Sequence, residues 1–133
     1  MVATNAIRNA MKARLEDGGL GMSGAWPNVG YNGAMPYFEV DFAAIDRDSD
    51  LDGSFRRETG MFYVNVASAI DVGEGTANNL ADAVAVLFAA GVRILVTGAV
   101  VAIRATPIIK GGYRAESEWR TPVEIPYVAT ATP

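Results

Sequence analysis

Apolar side chains recur along this chain in two different periods, and the changes of period mark its elements. Ile7, Ala10, Met11 and Leu15 fall three and four apart, with Arg8, Lys12, Arg14 and Glu16 between them. That spacing draws one apolar stripe on a helix. Thr4 is placed to accept from the free N–H groups of its first turn, and Gly18-Gly19 to end it. The glycine-rich stretch from Gly18 to Ala34 carries Trp26, Val29 and Tyr31 and reads as a loop pinned by those side chains. From Tyr37 to Ile45 the period becomes two, with Phe38, Val40, Phe42 and Ala44 on one face and Glu39 and Asp41 on the other. An acidic connection, Asp46 to Gly53, leads to a second strand in which Phe62, Val64 and Val66 oppose Tyr63 and Asn65. Two strands joined by a polar connection predict a long hairpin.

The helical period returns after the turn at Asp71–Gly75. Thr76 is placed to cap a second helix, with Leu80, Ala81, Val84, Leu87 and Phe88 as its stripe and Gly91 as its end. Strands follow over 94–96 and 99–105 around a tight Thr97-Gly98 turn, and then a loop from Ile108 to Arg114. A last strand spans about 116–129. Pro122 and Pro126 cannot donate to a ladder, which predicts an edge position for it. The order α-β-β-α-β-β predicts an α+β fold, with two helices packed on a mainly antiparallel sheet in a single domain over 1–133. Phe62, Val64, Leu80, Val84, Phe88 and Ile103 are the expected core.

Composition narrows the chemistry. Half of the 133 residues are hydrophobic and 20% are charged, which suits a buried core and argues against wholesale disorder. The net charge of −4 argues against a nucleic-acid binder that works through a broad basic surface. With no cysteine and no histidine, disulfides, thiolate zinc sites, cysteine nucleophiles and histidine bases are excluded. Residues Ala83 to Ile103 are almost continuously apolar, but Arg93 stands in their middle and the period changes at Gly91. A buried helix followed by strands accounts for that run better than a membrane span. Met1–Asn5 lacks the basic and apolar regions of a signal peptide.

The sharpest chemical motif is Asp48-Ser49-Asp50-Leu51-Asp52-Gly53, which opens like a calcium-binding loop. Asp48, Asp50 and Asp52 are the candidate metal ligands. The twelfth loop position is Thr59 rather than Glu, the nearby Glu58 is one residue early, and the flanks read as strands. A solvated turn whose aspartates bond their own backbone fits better. Gly73-Glu74-Gly75 lacks both the third glycine of a dinucleotide fingerprint and the lysine of a phosphate loop. No nucleophile–base spacing stands out, so neither an enzyme nor a cofactor is expected. Arg56-Arg57 reads as a salt-bridge or subunit-contact pair.

Taken in order, the chain resembles the tail terminator-like proteins of long-tailed (siphovirus-type) phages. The resemblance rests on Ile7-Arg8-Asn9-Ala10-Met11 with Leu15, on Trp26-Pro27-Asn28-Val29, and on Pro36-Tyr37-Phe38-Glu39-Val40. It continues in Arg57, Gly60 and Phe62–Val66, then Gly75, Ala77, Leu80, Ala81, Asp82 and Phe88, then Trp119 and Pro122–Tyr127. The acidic Asp46–Asp52 run is not part of that pattern. The resemblance implies a hexameric ring that caps the finished tail tube, ends its polymerisation and joins tail to head. It implies as partners further copies of the chain, the major tail tube protein and a head–tail connector or stopper. DNA would pass through the ring without specific binding, and no membrane is involved. The place it implies is the tail and neck of a virion assembled in the host cytoplasm. Arg56, Arg57, Trp119 and Tyr127 are the expected interface residues. Two other readings stay open: another neck or head-completion connector subunit, and a soluble domain binding a metal or small ligand through Asp48–Gly53.

Overall fold

A computed structural model of the chain describes residues 4–20, 23–25, 36–49, 55–69, 74–96, 98–115 and 118–131. Helix α1 covers Thr4–Glu16 and buries Ile7, Met11 and Leu15, the predicted stripe. Strand β1, Ser23–Ala25, lies inside the stretch read as loop. The hairpin arms are β2, Tyr37–Ser49, and β3, Phe55–Ala69. Helix α2 runs Glu74–Leu87. Four short strands follow: β4 (Arg93–Val96), β5 (Ala99–Ile103), β6 (Ile108–Ile109) and β7 (Tyr113–Ala115). The long β8, Glu118–Ala131, closes the series.

The strands form one mainly antiparallel sheet in the order β1-β2-β3-β8-β5-β4, with β6 and β7 also on β8 and the β1–β2 pairing parallel. Every side chain facing the helices is drawn from alternate strand positions. Phe38 and Val40 of β2, Phe62, Val64 and Val66 of β3, and Val123, Ile125 and Tyr127 of β8 meet Ala81, Val84 and Phe88 of α2 in one core. Phe62 is its hinge: its ring stacks on Phe42 at 4.5 Å and meets Phe88 edge-on at 5.5 Å. The two helices are fastened at their ends, where Arg14 Nε donates to the Leu87 carbonyl, 2.6 Å away. That carbonyl belongs to the last turn of α2, whose acceptors have no partner within the helix.

Four further expectations need correction. The acidic run is not all connection: Asp46–Ser49 continue β2, paired with Phe55–Thr59 across a bulge after Ala44. Thr76 lies inside α2 rather than capping it, since the helix starts at Glu74. The 108–114 loop contains β6 and begins β7. And β8 is not an edge strand but the sheet's middle, flanked by β3 along its length and by β5, β6 and β7 in turn.

The two prolines are tolerated there for a specific reason. Within a strand, one residue's N–H and C=O point to the same side. The Pro122 carbonyl accepts from Lys110 N at 2.8 Å and the Pro126 carbonyl from Arg104 N at 3.2 Å, so both residues face away from β3. On that side Pro126 falls between the β5 and β6 pairings, and Pro122 between the β6 and β7 pairings. The missing donors coincide with the breaks that divide one flank of β8 into three short strands.

Candidate functional site: the open face and edges of the sheet

Both helices lie over one face of the sheet. On the other face β2, β3 and β8 present Glu39, Asp41, Tyr63, Asn65, Glu118, Arg120 and Pro122. Arg120 holds the charged part of this face together. Its Nη2 lies 3.2 Å from Glu39 and its Nε 3.3 Å from Glu118, the latter too far off line to count as a hydrogen bond. Tyr37, only 8% exposed, donates to Glu118, with distances of 2.7 and 3.0 Å to the two carboxylate oxygens. Burial and the adjacent Glu118 carboxylate, which accepts its hydrogen bond, push the Tyr37 phenol up to about 12. Burial opposes the charge on Arg120, but Glu39 and Glu118 outweigh it and raise the guanidinium pKa. Tyr37 therefore stays a neutral donor at physiological pH, and the group clamps β2 to β8 across β3.

Beside this clamp lies a depression of about 200 Å³ lined by Glu39, Asp41, Tyr63, Asn65 and Pro122 together with Val40 and Val64. Its volume falls below the roughly 300 Å³ at which small-molecule sites begin. Among the described residues, no group of His, Cys, Asp or Glu side chains could hold a metal ion.

The residues singled out in the sequence do not converge. Asp48 lies exposed near the end of β2, with Arg57 as its cross-strand neighbour on β3. Asp50 and Asp52 lie outside the described residues, as does the Arg56 side chain. Arg57 is exposed. Trp119 is half-buried, its indole covering Gly112 so closely that a Cβ there would collide with the ring. Tyr127 is core. It is 1% exposed, lies over Gly60, and donates through its hydroxyl to Glu58 Oε2 at 3.0 Å. Its work is inside the chain. The Tyr37–Glu39–Glu118–Arg120 clamp was missed in the sequence. Only cross-strand register brings Glu39 of β2 near Arg120 of β8, and register depends on how the sheet is ordered.

Unpaired strand edges mark the ends of the sheet. β4 is an outer strand, paired among the described residues with β5 alone. At the other end β1 covers β2 only from Tyr37 to Glu39. Beyond Glu39, β2 has no strand on its outer side among the described residues.

The fold is an α+β sandwich of one helical layer on one open sheet. The sequence pattern of the phage tail terminator proteins matches residues 6–127, and the chain belongs to that family. A solved structure with 24% sequence identity superposes with a TM-score of 0.80, covering 100% of this chain and 99% of the other, which establishes the shared fold. No curated protein sequence matches the chain. Membership makes this a structural component of a phage tail, in a family of structural proteins rather than enzymes.

Proposed function

We propose that copies of this chain close into a ring, a hexamer, that caps the finished tail tube, ends its polymerisation and presents the surface that joins tail to head. The observation that carries this reading is the family match across residues 6–127, which takes in every element from α1 to most of β8. The sheet supports it, because open edges at both ends suit a subunit that meets a copy of itself on each side. The partners are the major tail tube protein on one face and a head–tail connector on the other. DNA slides through without being held: six copies at −4 each bring −24 to the ring, and a lumen without a broad basic surface gains no counterion-release affinity. The test is tube growth. Added to polymerising tail tube protein, the chain should arrest elongation at substoichiometric amounts. Tubes that grow equally long with and without it contradict the reading.

A further inference from the structure

The two ends of the sheet differ in charge and are matched in direction. At one end β2 carries Glu39, Asp41, Asp46 and Asp48 against the single Arg47. Glu39 is engaged with Arg120 and Asp41 accepts from Phe42 N; Asp41, Asp46 and Asp48 are exposed to solvent. At the other end, β4 carries Arg93 and no Asp or Glu. Arg93 stands on β4 itself, exposed, and among the described residues it has no ion-pair partner.

Each end also exposes one large apolar side chain. Leu95 of β4 is 80% exposed and Ile45, at the bulge of β2, is 61% exposed. Ile94 and Val96 pack on the core, so Arg93 and Leu95 point to the face away from the helices. Asp41 shares that face, as do Asp46 and Asp48, which pair with Thr59 and Arg57 of β3. Arg93 of one edge and the acids of the other thus lie on the same side of the sheet.

Strand direction completes the match. From β2 through β3, β8 and β5 to β4 every step is antiparallel, so β2 and β4 run the same way. A copy placed beside another with its helices on the same side therefore brings β4 parallel to β2. β1 already adds to that edge of β2 in parallel, at Tyr37–Glu39.

We propose that β4 of one copy adds, in parallel, to the outer edge of β2 between Val40 and Ser49 of the next copy, with Arg93 set among Asp41, Asp46 and Asp48. The contact is head-to-tail: it joins two different edges, so each copy keeps one edge of each kind and the series can close into a ring. It names the interface of the ring proposed above and rests on that reading.

The absence of cysteine from the chain makes the test clean. Leu95→Cys and Ile45→Cys are prepared separately, both at exposed positions where folding tolerates the change. Mixed under assembly conditions and oxidised, they should give a disulfide-linked dimer containing one of each variant, while either alone gives little. Arg93→Glu should raise the dissociation constant of assembly about tenfold, an effect that shrinks as salt is added. Rings that form without the mixed disulfide, or that cross-link Leu95→Cys to itself, overturn the edge pairing and leave the ring standing, as does an unchanged constant for Arg93→Glu. A wild-type chain that never assembles, alone or with tail tubes, overturns both.

Discussion

Phe88 is the side chain on which the packing of α2 depends. It is fully buried, it meets Phe62 edge-on, and it comes from the last turn of an apolar stripe that was readable from its spacing alone. Phe88→Ala should therefore cost about 3–5 kcal/mol in chemical denaturation; a loss below about 1 kcal/mol would mean that the helix presents another face. Leu80, assigned to the same core from the same stripe, is only partly buried, because it lies at the margin of the helix–sheet contact. Tyr37 supplies a second test at this scale. Its folded pKa of about 12 lies above the ordinary value of 10.0, so its contribution to stability is complete below pH 10 and is lost as pH rises toward 12. The wild type should lose stability over that window, and Tyr37→Phe should flatten the loss. An identical alkaline profile in both proteins would show that Tyr37 is not held by Glu118.

At the scale of elements, helices and hairpin arms were legible because each writes its period into neighbouring residues. Ile7, Met11 and Leu15 need only local spacing to be recognised, and so do Phe62, Val64 and Val66. The position of β8 was not legible. Pro122 and Pro126 argue for an edge when a strand is considered alone, and only the division of its neighbour into β5, β6 and β7 removes the objection. The acidic run misled in the same way: Asp46 and Asp48 read as a turn by composition, but pairing with β3 keeps them extended. Gly60 shows how tightly the middle strands approach. A Cβ there would lie 2.6 Å from the Tyr127 ring and 2.8 Å from the Ala43 carbonyl oxygen, and that carbonyl is backbone in a paired strand. Gly60→Ala should lower stability by about 1–3 kcal/mol, read as a drop in Tm; an unchanged Tm would mean that the Tyr127 ring moves aside freely. At the end of the hairpin, the extended backbone through Ser49 is unlike the helical flank of a calcium loop. Calorimetric titration should detect no tight calcium binding; micromolar binding lost in Asp50→Ala would revive the metal-binding alternative.

The whole molecule is asymmetric in two directions. One face of its sheet is covered by helices and the other carries a polar clamp, while one edge is acidic and the other carries the exposed cation of Arg93. The membership of the family fixes a structural role in the tail, and assembly into a ring is the claim on which the rest of the account depends. The direct measurement is the mass of the protein in solution at micromolar concentration, by sedimentation, alone and in the presence of tail tubes. A closed oligomer several times the 14.0 kDa of the chain, in at least one of the two conditions, is the predicted result; a species of 14.0 kDa in both would contradict it.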